Sequence, residues 1–229
     1  MTALFVSDLH LTPARPEVVA LFLGFLARRA RGADALYILG DLFEYWAGDD
    51  DLGDPFNARI VSALAAAGTH VHFMRGNRDF LVGERFARAA GLELLDDPFR
   101  LDGDTLLSHG DALCTDDESY QAFRRQVRDP AWIAAFLARP LAERKAEIER
   151  LRSLSEAEKQ RKPMAIMDAS TAAVEALMAR EGCSRLIHGH THRQARHVHP
   201  QGERWVLPDW HASADALVLD GAGARFEPV

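Results

Sequence analysis

The stretch TALFVSDLH, residues 2–10, sets an apolar run against the polar ending Ser7-Asp8-Leu9-His10. The run reads as a buried strand that stops at Asp8. The same pattern returns twice. ALYILGD (35–41) is a second strand, ending at Asp41, and HVHFMRG (70–76) is a third, followed by Asn77, Arg78 and Asp79. Between them, residues 16–30 carry a helical apolar stripe through Val19, Phe22, Leu23 and Leu26. Residues 56–67 and 79–90 also read as helices. A β-α-β-α-β order predicts parallel strands with crossover helices, hence an α/β fold.

From about residue 92 the runs shorten. LELL, FRLD and DTLLSHG, then HVHP, ERWVLP and ALVLDG after CSRLIHG (183–189), sit between tight Gly or Asp turns. They predict antiparallel pairing and a second sheet packed on the first, with helices outside. Residues 116–162 are different: helix-rich, with Trp132, Ile133, Phe136 and Leu137 at helical spacing. Pro130, Pro140 and Pro163 can each open a helix at its first turn. Within 119–162, 11 Lys and Arg stand against 6 Asp and Glu, in a chain whose net charge is −7. Either this is a hairpin with solvated charged faces, or it is a basic helical cap over the catalytic end of the sheets.

The totals bound the function. A length of 229 residues suits one domain spanning 1–229, with 116–162 inserted in it. The acidic balance disfavours a general nucleic-acid binder, which needs Lys and Arg for phosphates. Cys114 and Cys183 are far apart and outside any CxxC pattern, so two free thiols in a reducing compartment are expected. No run approaches the ~18 apolar residues of a membrane-spanning helix. MTALFVSDLHL has no basic leader, and a cytoplasmic protein is expected.

The polar strand endings carry the chemistry. They are Asp8-Leu9-His10, Gly40-Asp41, Gly76-Asn77-Arg78-Asp79, His109-Gly110-Asp111 and Gly189-His190-Thr191-His192. In open α/β sheets, sites gather at the carboxyl ends of strands. Asp8, His10, Asp41, Asn77, His109, His190 and His192 form a mixed oxygen and nitrogen set too large for one tetrahedral zinc. The set suits two divalent ions such as Mn²⁺, Fe²⁺ or Zn²⁺, with Asp41 placed centrally to bridge them.

SDLH, GDLFEYWAGDD, GNRDF, SHGD and HGHTHR, in this order, resemble the calcineurin-like binuclear metallophosphoesterases. GDLFEYWAGDD, GNRDF, HGDALCTDDESYQAFR and KPMAIMD make the chain similar to one group within them, the UDP-2,3-diacylglucosamine diphosphatases of lipid A biosynthesis. The resemblance implies a two-sheet αββα sandwich with an inserted helical lid. It assigns Asp8, His10, Asp41 and His192 to one ion, and Asp41, Asn77, His109 and His190 to the other, both usually Mn²⁺. It implies attack by a metal-held hydroxide on the phosphorus nearer uridine, giving UMP and 2,3-diacylglucosamine 1-phosphate. Arg78 would touch phosphate beside Asn77 and His190, its planar fork matching the oxygens. The bland alternative for Arg78 is a surface position on a helix. Asp117, Tyr120, Ser155, Lys159 and Lys162 align with substrate-contacting positions.

Several residues keep two readings. Asp79 is either a partner orienting a ligand histidine or a helix N-cap. Phe43, Trp46 and the apolar cap residues are core or acyl groove. His188 is a packed or supporting residue, and His197 and His199 are cross-strand or surface histidines. Ser108 is structural rather than nucleophilic. A lipid-linked nucleotide sugar calls for peripheral contact with the inner face of the cytoplasmic membrane, where the basic cap would meet anionic lipid. No nucleic acid and no obligate protein partner are expected. The alternatives are another metallophosphoesterase acting on nucleotides or small phosphodiesters, and a scaffold of the same fold.

Overall fold

The computed structural model describes residues 1–159 and 164–229, with side chains described outside 155–165. The first sheet has the order β11-β10-β1-β2-β3-β4. Its strands are β1 (Ala3–Val6), β2 (Ala35–Leu39), β3 (His70–Met74), β4 (Leu92–Leu95), β10 (Asp215–Asp220) and β11 (Gly223–Pro228). Helices α1 (Pro16–Arg28), α2 (Pro55–Ala65) and α3 (Glu84–Ala90) connect its first four strands, which are parallel. The second sheet runs β5-β6-β7-β9-β8. It comprises β5 (Phe99–Arg100), β6 (Thr105–Ser108), β7 (Arg185–His188), β8 (Ala195–His199) and β9 (Gly202–Val206). Helices α4 (Glu118–Val127), α5 (Pro130–Leu137), α6 (Leu141–Lys159) and α7 (Thr171–Glu181) lie between β6 and β7 in the chain.

Side-chain alternation divides the core. In β1, Leu4 and Val6 join Phe22, Ile60 and Phe86 in one cluster, while Ala3 and Phe5 join Leu107, Ile187 and Leu217 in another, between the sheets. On the far face of the second sheet, Leu106 and Leu186 pack on Val174 and Met178 of α7. Each such side chain contributes roughly 1.5–3 kcal/mol relative to exposure. The layering is helix, sheet, sheet, helix, with the carboxyl ends of β1, β2, β3, β6 and β7 leading into the motif residues.

Two expectations need correction. Antiparallel pairing from residue 92 onward holds only for β5–β6, β8–β9 and the β10 pairings. β4 extends the first sheet in parallel, and β6–β7 and β7–β9 are parallel as well. The long helical stretch between β6 and β7 is the crossover that parallel neighbours require. The helix expected from residue 79 begins at Glu84. Asp79 is buried, and its carboxylate accepts from the backbone N–H groups of Leu42 (2.7 Å) and Gly76 (2.8 Å). It braces the Asp41 loop, and is neither an N-cap nor a partner of a ligand histidine. The amides at the start of α3 go to Asp49, which accepts from Gly83, Arg85 and Phe86, each at 3.0 Å.

Candidate metal centre and active site

The non-glycine residues with left-handed backbone, among those described, are Asp8, His10, Asp41, His190 and His192. All five belong to the expected ligand set. Such a conformation costs on the order of 1–3 kcal/mol per residue and persists only where surroundings hold it. Here backbone bonds do so: Asp8 N–H to Gly40 O (3.1 Å) and His10 N–H to Asp41 O (3.0 Å). The amide of His190 donates to Asp8 Oδ2 at 2.8 Å. With both residues left-handed, His190 and His192 do not continue the extended backbone of β7. Glycines allow the loops to close. A Cβ on Gly76 would fall inside the Asp41 carboxylate, and one on Gly189 would strike Ser7 and Asp8.

The structure brings all seven expected ligands together. His192 Nε2 is 3.2 Å from Asp8 Oδ1, and His10 Nε2 is 4.0 Å from both Asp8 Oδ1 and Asp41 Oδ2. On the other side, Asn77 Oδ1 lies 3.0 Å from His109 Nε2 and 2.8 Å from His190 Nδ1. Asp41 Oδ1 is 3.8 Å from that same His109 nitrogen. The two oxygens of Asp41 thus face two different clusters. Asp8 stands near both: candidate ligand atoms of Asp8, His10 and His192, and of Asp8, Asp41 and His109, fall within 4.8 Å of one another.

The donor set fits divalent cations. Asp8 Oδ2 accepts from Ser7 Oγ and His190 N–H, whereas its buried Oδ1 points into the cluster, 3.2 Å from His192 Nε2 and 4.0 Å from His10 Nε2. His109 is anchored by Nδ1 to Leu39 O at 2.8 Å, leaving Nε2 inward. A buried carboxylate oxygen aimed among convergent imidazole nitrogens is the arrangement that a bound ion completes.

Charges in the cluster are strongly coupled. Burial pushes Asp41 up to about 7. Burial opposes charging His109, but Asp41, Asp111 and Asp8 together raise it to about 9. Burial also opposes charging His192, yet Asp209 and Asp8 lift it to about 10. For Asp8, burial is outweighed by His192, and the carboxyl lies well below its ordinary range. Burial drops His190 to about 3 and His188 to about 4, so both are neutral at pH 7.

The expected substrate-contacting residues divide. Arg78, Asp117 and Tyr120 line a cavity of about 570 Å³ that opens on the cluster. The Tyr120 ring lies over His190, centroids 5.6 Å apart, and its hydroxyl donates to Asp111. Asp117 caps α4 by accepting from the Tyr120 amide. The side chains of Ser155, Lys159 and Lys162 lie outside the described residues. Phe80, Trp132, Phe136, Ile148, Leu151 and Leu154 form an apolar wall of the same cavity. Trp132 and Phe136 stack at 4.8 Å, and Trp46 lines the cavity, whereas Phe43 is buried against Trp46 and Phe86.

Several acids gain roles that the sequence did not assign them. Glu44 stands 3.4 Å behind His10 Nδ1, and Asp209 3.3 Å behind His192 Nδ1. Asp111 accepts from Tyr120, Arg124 and Arg128 at once. Asp111 and Glu44 had a sequence signal, their places in SHGD and GDLFEYWAGDD, and Asp209 had none. Ser108 accepts from the Gly110 amide at 3.1 Å and is structural. His188 packs fully buried, His199 pairs with Glu175, and Cys114 and Cys183 are buried free thiols.

The family model for calcineurin-like phosphoesterases matches residues 1–194. The chain belongs to the calcineurin-like phosphoesterases. This phosphoesterase is 58% identical over 232 residues to a UDP-2,3-diacylglucosamine hydrolase of Aromatoleum aromaticum, covering 97% of this chain and 95% of the relative. To the protein of the same name from Xanthomonas oryzae pv. oryzae it is 51% identical over 243 residues, covering 99% and 98%. Among solved structures, an archaeal phosphodiesterase superposes on the phosphoesterase over the full length of both chains. Its TM-score is 0.52 at 11% identity, a likeness of fold alone.

Proposed function

We propose that this phosphoesterase hydrolyses the pyrophosphate bond of UDP-2,3-diacylglucosamine, releasing UMP and 2,3-diacylglucosamine 1-phosphate. The observation that carries the reading is the continuity of the cavity, which joins the Asp41 cluster to a wall of aromatic and aliphatic side chains. A diphosphate flanked by acyl chains needs both surfaces at once. Asp8, His10, Asp41 and His192 would hold one divalent ion, and Asp41, Asn77, His109 and His190 the second, with Mn²⁺ the proposed metal. When bound, such a pair lowers the pKa of water and neutralises charge on phosphate oxygens. Arg78 is fixed by its own amide, which donates to Asp41 Oδ1 at 2.8 Å. Its guanidinium faces the cavity and would bind the phosphate that gains charge. The ring of Tyr120 covers the site over His190, and the α4–α6 segment forms one wall of the cavity beside it.

The membrane contact also belongs to this proposal, with the protein on the cytoplasmic face. Among the described residues no helix is long and apolar enough to cross a membrane. Phe123 and Leu154 line the cavity yet are 41% and 51% exposed, an apolar rim where acyl chains could leave the bilayer. Purified protein with Mn²⁺ is expected to release UMP from the diacylated substrate. Asp41→Asn should lower turnover at least about a thousandfold. Cleavage of bis-p-nitrophenyl phosphate with none of the diacyl sugar nucleotide would replace this reading with a generic phosphodiesterase.

A further inference from the structure

Residues 8–11 and 41–44 run side by side. His10 N–H donates to Asp41 O, Leu11 N–H to Leu42 O at 2.9 Å, and Glu44 N–H to Leu11 O at 3.1 Å. This pairing sets the Glu44 side chain, 19% exposed, behind the His10 ring. Oε2 is 3.4 Å from His10 Nδ1. Oε1 accepts from Arg152 Nη2 of α6 at 2.5 Å and lies 3.7 Å from Arg78 Nη1. The Arg152 guanidinium also sits over the Tyr45 ring, 5.7 Å from its centroid. One carboxylate therefore meets a candidate metal ligand, the candidate phosphate arginine and the inserted helical segment.

We infer that Glu44 is a positioning residue for this reaction, fixing His10 as a ligand while its second oxygen seats α6 through Arg152. The inference rests on the metal-centre reading above. A carboxylate accepting from the far nitrogen of a ligand imidazole sets its tautomer and makes the near nitrogen a better donor. A carboxylate oxygen 3.4 Å from Nδ1 favours the proton on that nitrogen, which leaves the lone pair of Nε2 facing Asp8 and Asp41. Oε1 is then available to cations, and both arginines reach it. The bland reading makes Glu44 only an anchor for Arg152. The two readings separate because only the first touches metal affinity.

The test is Mn²⁺ titration calorimetry on the full chain, wild type against Glu44→Gln, Glu44→Asp and Arg152→Met. Glu44→Gln should weaken one of two Mn²⁺ sites by about 10–100-fold, with the other within about threefold. Its kcat at limiting Mn²⁺ should fall and recover in excess Mn²⁺. Arg152→Met should leave both affinities within about threefold, and should raise KM with no recovery in excess Mn²⁺. Glu44→Asp keeps the charge but withdraws it by one methylene, and should fall between wild type and Glu44→Gln. It carries the test if Glu44→Gln does not fold. Wild-type Mn²⁺ affinities in folded Glu44→Gln or in Glu44→Asp, or equal loss in Arg152→Met, would overturn the role of Glu44. A wild-type protein that takes up no Mn²⁺ would overturn the metal-centre reading itself.

Discussion

At the scale of single residues, the site is held by backbone shape as much as by side-chain identity. The loop bearing His190 and His192 closes because nothing projects from Gly189 toward Ser7 and Asp8. Gly189→Ala is expected to lower the melting temperature by roughly 2–10 °C through overpacking. It should also reduce bound metal, measured by elemental analysis after reconstitution. Normal metal content at an unchanged melting temperature would contradict the close approach. Protons supply a second residue-scale prediction. His109 and His192 bind protons up to about 9 and about 10 in the metal-free fold, above their ordinary 6.5. Their contribution to metal-free stability is fully present below pH 6.5 and is lost as pH rises through 9 to 10. Metal ions compete with those same protons, so affinity rises over the same window. The gain in melting temperature from a fixed Mn²⁺ concentration should therefore grow from pH 6.5 to pH 9, and a gain that shrinks would refute the assignment. Residue types at strand endings made the seven candidates legible in the chain. The left-handed backbone was not, because Asp and His carry no mark of it. The roles of Glu44 and Asp209 were hidden for a different reason: Glu44 stands in a quoted motif and Asp209 in none, but neither shows a histidine partner until folding puts it behind one.

At the scale of elements, the α4–α6 segment is tied to the loops that carry the ligands. Arg144 of α6 is fully buried and donates to Ala47 O, to Asp50 and to Arg139 O. Lys145 pairs with Asp51 at 2.7 Å, and Arg124 and Arg128 of the α4 region reach Asp111 at 2.8 and 3.1 Å. Arg144→Ala is expected to cost about 2–4 kcal/mol, because it empties a packed site and leaves a buried carbonyl without a donor. Urea unfolding measures this, and a midpoint equal to wild type would show that Arg144 is dispensable. The helices were legible from proline spacing. Pro130 does open α5, Pro140 stands just before α6, and Pro163 lies outside the described residues. Strand direction was not legible. LELL and TLLS read alike in either sense, and only the connection chooses. β6 and β7 are parallel because a helical stretch separates them, a long-range fact that four apolar residues cannot carry.

At the scale of the whole molecule, most of the described cations of the inserted segment are taken up in ion pairs. The excess of Lys and Arg in 119–162 looked like a face for anionic lipid. Folded, Arg124, Arg128, Arg144, Lys145 and Arg152 pair with Asp111, Asp50, Asp51 and Glu44 of the sheets and their loops. Arg139 and Arg150 pair within the segment. Among the described residues, Phe123 and Leu154 stand exposed at the rim of the cavity, while the side chains of Lys159, Arg161 and Lys162 lie outside the described residues. Ionic strength then becomes the informative variable. Contacts between solvated charges are screened within about 8–10 Å at physiological salt, whereas apolar contact is not. Liposome flotation should persist from about 0.05 to about 0.5 M NaCl and fail in Phe123→Asp or Leu154→Asp. If binding instead vanished as salt rose, the cations would have to be reaching the lipid, and the inward pairing would not describe the protein at a membrane. The same pairing carries a practical consequence for assays: under the proposed reading, adding salt should weaken the hold on the diphosphate while leaving the hold on the acyl chains nearly unchanged.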